Sequence, residues 1–174
     1  MKKFLLVFLI LASFTSSAQL ILSPDTTICG NYQDVLYALS STPSSMATDD
    51  QHDVVVPIGF TFNFYGQPYT DLVVSGNGYV TFDVTQASQY SPWAINAPIP
   101  SPGNLPENAI MAPWQDINTA IGGNIYYGVS GIAPNRIFVV TWCAVPMFSC
   151  TSDLHTSQII LYEGSDKIEM YLQD

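Results

Sequence analysis

The side chains best suited to acid–base or cation chemistry in this chain are carboxylates, and Asp116 is the first to weigh. It follows Trp114 at the end of an apolar stretch and precedes Asn118 by two positions. That places its carboxylate in a loop among other oxygens. With Asn118 and Asp83 it could supply the hard oxygen ligands that calcium prefers. The plainer reading, and the preferred one, is a carboxylate capping backbone amides in a tight loop. Asp83, Glu107, Asp116 and Glu163 are also the candidates for a carboxylate pair of the glycoside-hydrolase kind, whose spacing is set in space rather than in sequence. Each lies beside a turn, where acids are common on conformational grounds. Asp49-Asp50-Gln51-His52-Asp53 forms a compact acidic cluster that reads as a solvated loop, with a cation site as its alternative. It lacks the fixed acid and Gly offsets of a helix-loop-helix calcium loop.

Other chemistries find less support. The chain has two histidines, and His52 and His155 fall in apparent linker and loop segments. No H-E-x-x-H or C-x-x-C spacing accompanies them, which argues against a metalloenzyme. Gly128-Val129-Ser130-Gly131-Ile132 approaches a nucleophile elbow, but Ile132 stands where the second Gly belongs and no helix follows. Trp93, Trp114, Tyr126 and Tyr127, with Tyr90, could form a sugar-stacking platform. Aromatic residues in a small β domain more often seal its core. Three cysteines form an odd set in an exported chain. A Cys143–Cys150 bridge is feasible if the six residues between them cross neighbouring strands, which would leave Cys29 unpaired or paired outside the chain.

Short strands and Gly/Pro turns must hold these groups. Val54, Val56, Ile58, Phe60, Phe62 and Phe64 alternate with more polar residues, the period of a half-buried strand. Pro57 withdraws a backbone donor and marks an edge, a bulge or a break. Leu72-Val73-Val74 and Tyr79-Val80-Thr81-Phe82 flank Ser75-Gly76-Asn77-Gly78, a hairpin turn whose residues tolerate positive φ. From Met111 to Trp142 the pattern is buried strand, acidic loop, Gly122-Gly123 turn, aromatic strand, Pro134-Asn135 turn and a second buried strand. Ser157–Glu163 and Lys167–Gln173 form a final hairpin, the latter predicted as a bare edge strand that calls for a covering partner or further chain. Five prolines in the Pro-rich Ser91–Pro106 passage exclude a helix there, and Trp93 and Ile99 suggest a cover packed on the sandwich. No helical periodicity is sustained beyond the N-terminal segment, and no repeat suggests a solenoid.

Bulk properties bound the function. Lys2 and Lys3, an apolar run over Phe4–Leu11, and Ser16-Ser17-Ala18 read as a signal peptide over residues 1–18. The run is too short for a stable membrane anchor, and no Cys follows it closely enough for lipidation. Its removal leaves Arg136 and Lys167 as the strong bases against 14 acids, a net charge of about −12. Such a surface repels nucleic acid and anionic membranes. Charged residues make up 10% of the chain and aromatics 13%, so there is ample apolar surface to build a core.

The motifs in their order resemble the nidogen-like extracellular domain. The resemblance rests on Pro57-Ile58-Gly59-Phe60-Thr61-Phe62-Asn63-Phe64-Tyr65-Gly66, Val74-Ser75-Gly76-Asn77-Gly78-Tyr79-Val80-Thr81-Phe82, Ala112-Pro113-Trp114-Gln115-Asp116, the Gly122-Gly123 turn, Pro134–Trp142, and Ile160–Glu163 with Ile168. It covers about two-thirds of the chain and is similar in particular to the version in large secreted, adhesin-like surface proteins of gliding-type Gram-negative bacteria. It implies a non-catalytic surface or matrix role and supplies no catalytic residue. It also implies further sequence after the last strand, with another Cys that could take Cys150 and a C-terminal sorting module.

The resulting expectation is a signal peptide (1–18), an N-terminal extension with one strand at Val35–Leu39 (19–53), and an all-β antiparallel sandwich under a long Pro-rich covering loop (54–174). Its function would be that of an exported, non-catalytic interaction module. The alternatives are a carbohydrate-binding module or a carboxylate-dependent glycoside hydrolase. No cofactor is expected, with calcium the one cation left open. Partners would be an extracellular protein or glycan and further modules of a longer chain, without nucleic-acid binding or membrane insertion. The Ser91–Pro106 and Asp116–Gly123 loops are the expected contact surfaces.

Overall fold

The computed structural model describes residues 41–46, 48–94, 96–99, 101 and 106–173. The expected signal peptide, the strand at Val35–Leu39 and Cys29 lie outside them. Nine strands are described: β1 (Thr42–Pro43), β2 (His52–Phe64), β3 (Gln67–Ser75), β4 (Tyr79–Thr81), β5 (Ala109–Met111), β6 (Asn124–Ser130), β7 (Ile137–Pro146), β8 (Leu154–Tyr162) and β9 (Ile168–Leu172). They form two antiparallel sheets, of order β1-β6-β7-β8-β9 and β2-β3-β4-β5. This is the expected sandwich.

The core lies between the sheets. Val56, Ile58, Phe60 and Phe62 of β2, Leu72 and Val74 of β3 and Val80 of β4 meet Ile125, Phe138, Val140, Trp142, Ile159 and Leu161 of the other sheet. Trp142 is fully buried, and its indole N–H donates to the Ser75 carbonyl across the interface at 2.9 Å. β7 reads as a continuous apolar run because both of its faces are buried. Ile137 and Val139 pack with Ile160 in a separate cluster from Phe138, Val140 and Trp142.

β2 departs from its sequence pattern at its N-terminal end and near its middle. Its inward alternation starts at Val56, whereas Val54 is exposed, because a register shift between His52 and Val55 reverses the facing. The strand begins at His52, with Asp53 buried, so the sandwich reaches into the segment expected to be linker. Pro57 sits on an edge strand, as its missing donor requires. A second register shift lies between Pro57 and Phe62, where Gly59 has φ +85°. The opposite sheet secures this irregular stretch. Arg136 donates to the Gly59 carbonyl and pairs through Nε with Glu163 at 2.8 Å, while Asp166 accepts from both the backbone N–H and the side-chain amide of Asn63 at 2.9 Å.

Among its described residues, the Pro-rich segment meets the outer face of β4 through Ala97. Tyr79 and Trp114 meet edge-to-face with ring centroids 6.2 Å apart, and Ala97 packs against them. Ile99 is 56% exposed, so it does not serve as the expected packing residue. β9 is one of the two outer strands of its sheet, with Met170 and Leu172 exposed. Among the described residues no helix is long and apolar enough to cross a membrane.

Candidate functional site

One end of the sandwich gathers three loops around the β3–β4 turn. The 48–51 and 89–91 segments are laced by backbone hydrogen bonds, Ser91 N–H to the Asp50 carbonyl at 2.8 Å and His52 N–H to the Gln89 carbonyl at 2.9 Å. The loop after Trp114 joins them through Thr119 Oγ1 donating to the Thr48 carbonyl at 3.1 Å and Asn118 Nδ2 donating to Asp49 Oδ2 at 3.2 Å. Trp114 Nε1 donates to the Pro92 carbonyl at 2.8 Å, drawing the Pro-rich segment to the same place. The two loops expected from sequence to make contacts therefore lie side by side, joined by a third.

Asp49, Asp50 and Asp116 converge there, each with a carboxylate oxygen within 4.8 Å of the others. Partial burial raises the Asp116 pKa, and the charges of Asp50 and Asp49 raise it further. Asp49 is raised in the same way, by burial and then by Asp50. The two strong bases among the described residues are engaged elsewhere, Arg136 with Glu163 and Lys167 with Glu169. The concentrated negative charge is thus left for solvent, or for a ligand able to neutralise it. Oxygen donors at this spacing suit a hard divalent cation, with Asn118 adjoining. Asp83, the third residue of the calcium set expected from sequence, is outside this group. It caps the short helical turn Val84–Gln86, accepting from Thr85 N–H at 3.1 Å and Thr85 Oγ1 at 2.6 Å, and those bonds hold its pKa below the usual carboxylate range.

Beside the carboxylates stand two exposed rings, Tyr90 (62%) and Trp93 (42%). Burial and the charges of Asp50, Asp116 and Asp49 raise the Tyr90 phenol pKa, which places the ring in the field of the acidic group. The expected aromatic platform divides. Trp93 is available. Trp114 is 7% exposed and belongs to a buried cluster, because its indole N–H is spent on Pro92. Tyr127 packs against the main core, and Tyr126 lies on β6 opposite Pro43. Trp114 is therefore closed to a sugar, while Tyr127 keeps only part of its ring exposed.

The histidines are not in a linker or loop but in β2 and β8, both buried. His52 Nε2 meets the Tyr79 hydroxyl at 2.7 Å, Tyr79 meets Ser91 Oγ at 3.1 Å, and Ser91 meets Ser75 Oγ at 2.6 Å. All four side chains are inaccessible, so this serine–histidine chain is a structural network and not a nucleophile with its base. Burial pushes the Tyr79 phenol up to about 12. His155 accepts from Gln115 Nε2 at Nδ1 (2.5 Å) and bonds Ser157 Oγ through Nε2 at 2.7 Å. Of the other carboxylates weighed for hydrolysis, Glu163 is held down to about 2 by Arg136, which removes it as a proton donor at neutral pH.

The Cys143–Cys150 bridge is not formed. Cys150 is exposed with a free thiol, and Cys143 is bonded otherwise. The loop between them does not fold back as a simple crossing, because Met147 and Phe148 are drawn toward the site loops. Met147 bridges Ile117, and Phe148 N–H donates to the Asp116 carbonyl at 3.0 Å.

Sequence reasoning did not join Asp49 and Asp50 to Asp116, and it read Asn77 only as a turn residue. The Asp49-Asp50 doublet was a signal for the first. Asn77 sends its side chain back across the site, a contact no local pattern encodes.

The NIDO-related family model matches residues 26–174. The chain belongs to the NIDO-related family. Alpha-tectorin of Mus musculus and alpha-tectorin of Homo sapiens are each 26% identical to it over 137 residues, covering 65% of this chain and 6% of the relative. This chain thus spans a small fraction of those proteins' length. No solved structure matches it. The NIDO-related match begins well before β2, in keeping with β1 and the 48–51 loop being parts of the sandwich and not a tether to it.

Proposed function

We propose that this NIDO-related chain is an extracellular, non-catalytic interaction module that binds through the three-loop end of its sandwich. The observation that carries this reading is the convergence of Asp49, Asp50 and Asp116 with exposed Tyr90 and Trp93 on cross-braced loops. Rigid loops that need no ordering on contact lose little entropy when they bind. Family membership and the export signal read in the sequence support the extracellular setting, and the adhesin-like resemblance supports display at a cell surface. In this reading the partner is an extracellular protein or glycan, and the far greater length of the alpha-tectorins supports its being met in the company of further modules.

The test is retention of the purified chain on immobilised extracellular glycans and matrix proteins, compared with a Tyr90→Ala/Trp93→Ala double variant. Retention lost in the variant supports the reading. Retention unchanged by it places the contact elsewhere and overturns the assignment of this end. Trp93 and Tyr90 also favour a glycan as a second reading. Quenching of Trp fluorescence by a polysaccharide, absent in Trp93→Ala, would select it, and a blank glycan array would remove it.

A further inference from the structure

We infer that Asn77 is the positioning residue of this end, a single buried amide that sets the spacing of all three loops. The inference rests on the reading that this end makes contacts, and adds what holds it in shape. Asn77 is fully buried in the β3–β4 turn. Its Nδ2 donates one hydrogen to Asp50 Oδ1 at 2.9 Å and the other to the Ser91 carbonyl at 3.2 Å. Its Oδ1 accepts from Ile117 N–H at 3.3 Å, and its own carbonyl accepts from Gln115 N–H at 3.3 Å. One residue therefore touches the 48–51 loop, the 89–93 segment and the 115–119 loop.

The amide orientation follows from its neighbours. Reversed, the oxygen would face the Asp50 carboxylate and the Ser91 carbonyl, both acceptors. An amide is the one neutral side chain of this size that can donate twice and accept in opposite directions. The turn is itself fixed to the same surroundings. Asn77 N–H donates to Ser75 Oγ at 2.8 Å, Gly76 N–H donates to the Gln51 carbonyl at 2.9 Å, and Ala112 N–H donates to the Gly78 carbonyl at 3.0 Å. Gly78 has φ +79°, and a Cβ there would lie 2.5 Å from the Pro113 carbonyl oxygen, so only glycine lets the turn lie this close against the 112–113 backbone.

Asn77 also holds Asp50 among the other acids. A donor on Asp50 Oδ1 offsets part of the repulsion from Asp49 and Asp116, so the amide both spaces the loops and keeps the charge cluster together. Loosening this one contact frees the carboxylates to separate and lets Tyr90 and Trp93, which flank Ser91, drift with the segment they share.

The experiment is hydrogen exchange, resolved by residue, on the ligand-free chain and on Asn77→Asp. The variant keeps the shape and the acceptor for Ile117 but turns an oxygen toward Asp50 and Ser91. At pH 7 the protection of Gly76, Ser91, His52 and Ile117 amides should fall together by at least tenfold, while Val140 and Ile159 in β7 and β8 hold theirs. On acidification the new carboxyl gains a proton and can donate again, so the variant's protection at these amides recovers toward wild type, a pH profile that a merely misfolded turn would not show. Should Asn77→Asp fail to fold, Asn77→Ser, which lacks the reach but adds no charge, must show the same joint loss. Loss confined to 75–78, or spread evenly over both sheets, overturns the inference. Because no ligand is present, that result is independent of whether Tyr90 and Trp93 bind anything.

Discussion

Acidification should weaken this fold through its buried histidines. His155 is 5% exposed, and burial lowers its pKa to about 4. Its Nδ1 accepts from the Gln115 amide, so a proton there would set donor against donor. An imidazole in the unfolded chain titrates near ~6.5. The folded state therefore binds fewer protons between those values, so the His155 contribution is whole above about pH 6.5 and is lost as pH falls toward about 4. From pH 7 to pH 5 the loss is about 2 kcal/mol if the shift is fully expressed, and roughly 1 kcal/mol after allowing for solvent screening. His52, whose pKa is lowered by burial and only partly restored by the Tyr90 and Gln89 backbone, acts with the same sign. Stopping at pH 5 limits the opposing gain from Asp49 and Asp116, whose raised values make their protonation favour the folded state. Urea unfolding followed by Trp fluorescence at the two pH values, for wild type and His155→Gln, measures the difference. The variant should lose ~1–2 kcal/mol less than wild type across this interval, with unchanged m-values. Equal losses in both proteins would refute the assignment of a neutral, buried His155.

Trp142→Phe should destabilise by ~2–3 kcal/mol in urea unfolding, because it leaves the buried Ser75 carbonyl without its donor and opens a small void between the sheets. Asp116→Asn should raise stability slightly, by ~0.5–1 kcal/mol at low salt and less at high salt, by relieving repulsion among three close carboxylates. If those carboxylates hold calcium at the affinity common in extracellular modules, 5 mM calcium should stabilise wild type by ~1 kcal/mol over chelator and leave Asp116→Asn unmoved. Identical melting curves would dismiss the cation. A thiol reagent applied to the folded protein should label Cys150 and spare Cys143.

Much of the architecture was legible because it is local. Period-two alternation over Val56–Phe62, the Ser75–Gly78 turn and the final hairpin each depend on residues within a few positions of one another. Positions failed where a distant contact decides the facing. Val54 fits the alternation but turns outward because the strand bulges beside Asp53. His52 and His155 looked like loop residues, since polar neighbours hide a strand whose partners are Ser75 and Val145. The site was legible in part. Asp116, Asn118 and Trp93 could be picked from type and setting, but the company of Asp49 and Asp50 follows from hydrogen bonds between loops far apart in the chain. Trp114 was misread because aromatic character alone does not say whether the indole N–H meets a carbonyl or water.

We propose that this chain holds a partner and does not transform it. The most direct test is product release. The purified protein is incubated with the polysaccharides and matrix proteins it retains, and the soluble fraction is read by mass spectrometry against an Asp116→Ala control. The account predicts intact material, with identical spectra for the two proteins. Fragments released by wild type and absent with Asp116→Ala would contradict it and make the acidic end a catalytic one.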